Sequence, residues 1–202
     1  MKTLRLILRL CLVAIAGSTS LPTLASDPSE PILVGVYQNP PKIALNQQGE
    51  AQGFWPDLLD AVATAENWNI QYVPCYWNRC LQLVEQGKLD LMLDVAFTPE
   101  REQRFDFNQE AVLSSWSVVY VKLGNTLHSI LDLDQKRVAV LSDSIQQEVM
   151  AQQAYAFDID PTFVEVKDFD QMFTLLTAGE VDAVVVNRFF GTMMEQEIPV
   201  VP

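Results

Sequence analysis

Leu89 to Phe107 reads LDLMLDVAFTPEREQRFDF, and this stretch decides the fold. It opens as a short apolar run of the kind that forms a buried strand, Leu89 to Leu93. Asp94 closes the strand. After a turn, Thr98-Pro99 marks a helix start, with threonine as N-cap and proline in the first turn. Arg101 then falls one turn into a short helix. In an open α/β sheet, ligands bind beyond the carboxyl ends of the strands. A guanidinium placed there holds a carboxylate through two parallel hydrogen bonds. The spacing also fits a solvated surface arginine, so on these residues alone both readings of Arg101 stand.

Working outward, the pattern alternates strand and helix. Ile32–Val36 reads as a strand, and Tyr37-Gln38-Asn39-Pro40-Pro41 as a loop, because consecutive prolines break both regular structures. Asn46–Gly53 is a polar, hairpin-like excursion. Phe54–Trp68 is a helix with Trp55, Leu58, Leu59, Val62 and Ala63 on its apolar face. A strand over Ile70–Val73, a helix over Asn78–Gln86 closed by Gly87, and a long strand over Val112–Val121 follow. The alternation then restarts. Arg137–Leu141, Thr162–Val166 and Val181–Val186 are strands. Ser144–Gln153 and Asp168–Ala178 are helices, each with glutamine three residues after its N-cap. A short helix ends near Met194. Such alternation predicts α/β lobes with mainly parallel sheets.

One segment repeats. Leu83-Val84-Glu85-Gln86-Gly87-Lys88-Leu89-Asp90 matches Leu175-Leu176-Thr177-Ala178-Gly179-Glu180-Val181-Asp182. Each runs from a helix end through a glycine and an aspartate into an apolar strand. Two lobes built alike would bring Asp94 and Asn187 to equivalent strand ends on a shared cleft. Helix–glycine–strand is also a common connection in its own right.

Residues 1–25 have the form of a secretory signal peptide. Lys2, Arg5 and Arg9 precede the apolar run Leu10–Gly17, and Thr23-Leu24-Ala25 offers a small-residue cleavage site. The run is short for a membrane anchor. Cys11 lacks the small residues that precede a lipidated cysteine. The expectation is an exported, periplasmic protein. The net charge of the chain is −13. The leader holds three of the 13 basic residues and none of the 26 acidic ones, so the remainder stands at −16. That balance argues against nucleic acid and anionic membrane as partners. Cys75 and Cys80, spaced across a strand end and a helix start, are either a disulfide or a pair of buried thiols. The single histidine, His128, is far from both, so neither a metal site nor a cofactor is expected.

In their order along the chain, GVYQNPPKIAL, GEAQGFWPDLLDAVA, WNRCLQLVEQGKLDLML, FTPEREQRFDF, DLDQKRVAVL and AGEVDAVVVNRFFG resemble the family 3 extracellular solute-binding proteins. The NPPK and VVVNRFFG wording is most similar to versions used as periplasmic sensor domains. The resemblance implies the type 2 periplasmic-binding fold, two α/β lobes closing on a small ligand. It divides the chain into a signal peptide over 1–25, a first lobe over 26–121 and a second over 122–202. One crossover would lie near Val121–Asn125. The second crossover and the return into the first lobe that the family has are not found before Pro202, so the expectation is a fragment of a longer protein or a truncated copy.

Residue by residue, the resemblance implies that Arg101 grips a ligand carboxylate, with Ala96 and Thr98 offering backbone amides beside it. Tyr37 and Asn39 would line the first loop, and Ser144 the helix start of the second lobe. Asn187 stands where amino-acid binders carry an aspartate for the ligand's ammonium. Asp94 stands where a small residue is usual. It would receive that ammonium or pair with Arg101. Asp143 replaces a common glycine. The implied function is binding of an amino acid or other small carboxylate for an ABC-type uptake system, with an inner-membrane permease as partner. The alternative is a ligand-sensing domain coupled to a kinase or cyclase module. A lyase or dehydratase on the same fold is a remote third, with Asp94 as the one carboxylate placed to act as a base.

Overall fold

In the computed structural model, residues 30–202 are described. The expected leader, residues 1–25, lies outside them. The first sheet is three-stranded and parallel throughout, in the order β4 (Ile70–Pro74), β1 (Ile32–Val36), β5 (Leu91–Met92). Two short strands, β2 (Ala44–Leu45) and β3 (Ala51–Gln52), form the hairpin expected around Asn46–Gly53. Helices α1 (Phe54–Glu66), α2 (Trp77–Glu85) and α3 (Pro99–Glu102) complete this lobe. On α1, Leu59 and Ala63 are buried as expected, but Val62 is exposed.

The second sheet has five strands in the order β10 (Val200–Val201), β6 (Ser117–Lys122), β9 (Ala183–Asn187), β7 (Arg137–Leu141), β8 (Thr162–Val166). Strands β7, β8 and β9 run parallel, while β6 and β10 are antiparallel to their neighbours. The sheet is therefore mixed rather than mainly parallel. All five residues of β9, AVVVN, are buried, as a strand covered on both faces requires. Helices α4 (Ile145–Ala156), α5 (Phe169–Ala178) and α6 (Arg188–Glu197) pack around it.

Two expectations change here. The strand predicted over Val112–Val121 begins only at Ser117 and pairs with β9 in the second sheet, not with the first. The chain therefore changes sheets ahead of Ser117, and a boundary between residues 121 and 122 would cut β6. The strand predicted over Leu89–Leu93 is two residues long, because only Leu91 and Met92 find partners on β1.

The repeated segment folds the same way twice. Gly87 (φ 64°) and Gly179 (φ 76°) take the left-handed conformation that ends α2 and α5. Lys88 N donates to Leu83 O at 2.8 Å, and Glu180 N to Leu175 O at 2.9 Å. Asp90 Oδ2 then accepts from Leu33 N, and Asp182 Oδ2 from Arg137 N, each at 2.8 Å. Each aspartate thus fastens a helix exit to the start of the neighbouring strand in its own lobe.

Cys75 and Cys80 are joined as a disulfide, with Cα atoms 5.4 Å apart. That separation is ordinary for the bond. Thiol labelling of the denatured, unreduced protein is expected to find neither cysteine free. Opening so short a loop by reduction should cost about 2 kcal/mol, read from the denaturant midpoint.

Gly191, inside α6, lets that helix lie against Tyr120 of β6. A Cβ at this position would sit 2.1 Å from Tyr120 Cε2, and Tyr120 is buried. Helix propensity alone would favour alanine there by about 1 kcal/mol. The packing predicts the opposite sign. Gly191→Ala should destabilise by ~1–3 kcal/mol or more in equilibrium unfolding, as overpacking does. A stabilised variant would show that α6 does not rest on Tyr120.

Candidate functional site

The inner wall of the first lobe is organised by one carboxylate. Asp94 follows β5 with φ 62°, a left-handed conformation that aspartate tolerates better than most residues. Its Oδ1 accepts from Lys42 Nζ at 2.8 Å and Trp55 Nε1 at 2.9 Å. Its Oδ2 accepts from Tyr37 OH at 2.8 Å, Asn39 Nδ2 at 2.8 Å and Lys42 Nζ at 2.6 Å. The Lys42 and Asp94 side chains are both 8% exposed. Burial first, and then the Asp94 charge, push the Tyr37 hydroxyl well above its ordinary range, so it stays protonated as a donor. Asp94 thus pairs with Lys42 and not with Arg101.

The first loop presents these donors because it is tied down at both ends. Asn39 N donates to Ile43 O, Lys42 N to Asn39 O, and Trp55 N to Lys42 O. Gly53, which precedes α1 at φ 112°, has no room for a side chain, since a Cβ would lie 2.6 Å from Pro41 O.

Asn39 carries the network into the second lobe. Its Oδ1 accepts from Asn187 Nδ2 at 2.9 Å. Asn187 closes β9 and caps α6, its Oδ1 accepting from Phe190 N at 3.1 Å. Both asparagines are 2% exposed.

Arg101 forms the second centre. Thr98 caps α3, its Oγ1 accepting from Arg101 N at 3.2 Å. The guanidinium is buried. It donates to Ala96 O at 3.1 Å, and across to the second lobe at Asp143 O (3.0 Å) and Glu148 Oε1 (3.1 Å). It also lies over the Trp77 ring, 5.6 Å from its centroid. Trp77 Nε1 donates to the same Asp143 carbonyl at 3.1 Å. Asp143 has φ 60°, which accounts for a position where glycine is common. Ser144 caps α4, its Oγ accepting from Gln147 N at 3.1 Å. Gln147 does not complete a capping box on Ser144. Its Oε1 accepts from Asp143 N one residue earlier, and its Nε2 donates to Glu165.

These groups face a cleft of about 1460 Å³. Tyr37, Asn39, Asp94, Ala96, Arg101, Ser144 and Asn187 all line it, while Thr98 sits behind α3 as its cap. Lys42, Trp55 and Trp77 line it too and were not singled out as site residues by sequence. Lys42 had a signal, since it follows two prolines in the loop that carries Tyr37 and Asn39. His128 is exposed on the outer rim. Among the described residues, no group of three or more His, Cys, Asp or Glu side chains is placed to hold a metal ion.

Two α/β lobes meeting at a polar, partly aromatic cleft define a solute-binding protein of the type 2 periplasmic-binding fold. An ancestral arginine-binding protein solved with arginine matches at a TM-score of 0.77 and 24% identity, over 84% of this chain and 76% of that one. A histidine kinase sensor domain with similarity to periplasmic binding proteins matches at 0.74 and 22% identity, over 85% and 75%. Residues 32–147 match the model of the bacterial extracellular solute-binding proteins, family 3, and the chain belongs to that family. The histidine-binding periplasmic protein of Salmonella typhimurium is 27% identical over 142 residues, 68% of this chain and 53% of that protein. The chain spans about half the length of the curated relatives it matches.

Breaking the Asp94–Lys42 pair from one side should be expensive. Asp94→Ala leaves a buried ammonium unpaired and is expected to cost about 3–5 kcal/mol in denaturant unfolding. Combining Asp94→Asn with Lys42→Met should cost less than the two single changes added. Simple additivity would mean the two groups do not act as a pair.

Proposed function

We propose that this chain binds a small carboxylate-bearing solute between its lobes, with Arg101 as the anchor, as the substrate-binding component of an ABC-type uptake system. The observation that carries this reading is the placement of Arg101. It is a buried guanidinium lining an interlobe cleft, with three of its five N–H groups bonded to protein acceptors. Among the described residues the other two N–H groups, on Nε and Nη1, have no protein acceptor, which leaves them to a ligand. The curated relatives support the wider class, since most are named as histidine-binding or probable histidine-binding proteins, several of them periplasmic, and one as a putative amino-acid ABC transporter-binding protein. Their names and the pattern of residues 1–25 also support export to the periplasm. Asp94 has its oxygens occupied by four donor side chains, which favours binding over acid–base catalysis.

A second reading has its own support. The similarity to a histidine kinase sensor domain, at a TM-score of 0.74, fits a periplasmic domain that reports ligand to a signalling partner. Both readings require the same cleft.

The test is calorimetry after a thermal-shift screen of small carboxylates. Arg101→Ala should lose about 2–5 kcal/mol of binding, the range for truncating one partner of a buried charge pair. Arg104 serves as the control, because its guanidinium pairs with Glu85 on the surface. Arg104→Ala should bind as the unaltered protein does. Undiminished affinity in Arg101→Ala would remove Arg101 from the site.

A further inference from the structure

We infer that the cleft selects carboxylates that carry no α-ammonium group, such as 2-oxo, 2-hydroxy or unsubstituted acids. This rests on the carboxylate reading above and names its substrate class. An α-amino acid needs two opposite things from one site: donors for its carboxylate, and acceptors, preferably charged, for its ammonium. The first lobe supplies the donors. On the inner wall, the acceptors are already spoken for.

Asp94 is the buried carboxylate of that wall; Glu102, Asp106 and Glu110 also line the cleft, but all three are exposed and their charge is screened by water. A carboxylate offers about four lone-pair positions. Tyr37, Asn39 and Trp55 occupy three, and the Lys42 ammonium contacts both oxygens, at 2.8 and 2.6 Å. The neighbouring amide oxygens are engaged as well. Asn39 Oδ1 takes Asn187 Nδ2, and Asn187 Oδ1 takes Phe190 N. What these oxygens retain is a neutral lone pair, with no charge to offset an ammonium taken from water.

Lys42 does more than fill the position. A ligand ammonium brought to Asp94 would share its oxygens with a second ammonium, and like charges so close repel strongly inside a protein. The pair therefore acts against α-amino acids as well as failing to attract them. Donors, by contrast, are in surplus. An ammonium has three protons and a guanidinium five N–H groups. A ligand that presents oxygen where an amino acid presents nitrogen meets this surplus directly. Asn187, uncharged at the strand end of the second lobe, fits the same selection.

The experiment compares matched pairs on the unaltered protein by titration calorimetry, with Trp55 and Trp77 fluorescence as a second readout. The pairs are L-glutamate and 2-oxoglutarate, L-phenylalanine and phenyllactate, L-histidine and imidazole-lactate, and L-arginine and 5-guanidinopentanoate. The member without the ammonium is expected to bind at least tenfold more tightly in any pair that binds. Lys42→Met, checked for folding by its melting curve, should move that ratio at least tenfold toward the amino acid, because it frees the Asp94 charge. An amino acid that binds the unaltered protein as tightly as its partner overturns the inference. If that binding is lost in Arg101→Ala, the carboxylate reading survives the failure. Silence from both members of every pair removes the carboxylate reading and this inference with it.

Discussion

The site depends on satisfying the buried carboxylate of Asp94. It lies where a strand of two residues ends, too short to hold its own position by ladder bonds. The first loop is equally unable to organise itself, since Pro40 and Pro41 supply no backbone donors. The carboxylate solves both problems. It collects Tyr37, Asn39 and Lys42 from the loop and Trp55 from the first turn of α1, so two chain segments are tied to the end of a third through two oxygens. The low-dielectric surroundings that make an unpaired Asp94 costly are what make the fully paired one a strong constraint. Through Asn39 the constraint reaches Asn187, and so the first lobe's loop sets where the second lobe's strand end sits.

The two lobes solve their backbone problem with the same device. A helix ending in a left-handed glycine turns its last carbonyls toward the following amides. The aspartate three residues later takes the first strand amide that no sheet partner reaches. Repetition of this unit at Gly87–Asp90 and Gly179–Asp182 is a local arrangement with a local sequence cause. That is why it could be read from the chain without any knowledge of what packs against it.

Much of the rest was legible for the same reason. Strands β1, β7 and β8 fall where apolar β-branched runs place them, and the N-caps Thr98, Ser144 and Asp168 each bond the amide three residues on. What escaped depended on partners distant in sequence. Nothing in SVVYVK says that it will pair with β9 rather than with the first sheet. Lys42 and Asp94 are 52 residues apart, and Arg101 and Glu148 are 47 apart. A sequence shows which side chains are able to pair, but the fold decides which ones do. Arg101 was therefore identifiable as a candidate anchor, while Asp94 was expected to receive a ligand ammonium or pair with Arg101, and its actual partner, Lys42, could not be found from spacing. Gln147 misled in a smaller way. Its position fits a capping box, but the left-handed backbone of Asp143 presents a nearer amide.

Charge at two length scales completes the argument. The chain is strongly acidic, at −13 overall, so its distant field repels an anionic ligand. That field fades within about 8 Å at physiological ionic strength. Among the buried groups of the cleft the balance differs: there are two cations, Lys42 and Arg101, and each faces one carboxylate. The Lys42 partner is as buried as the lysine, at 8%, whereas the Glu148 side chain is 40% exposed. Water already shares Glu148, so the contact it makes to Arg101 is the weaker of the two. Under the proposed function, an incoming carboxylate would compete at Arg101 and leave the Lys42–Asp94 pair intact. Burial alone separates the two pairs: one is sealed into the wall and sets its shape, and the other is open to water and so the easier to exchange.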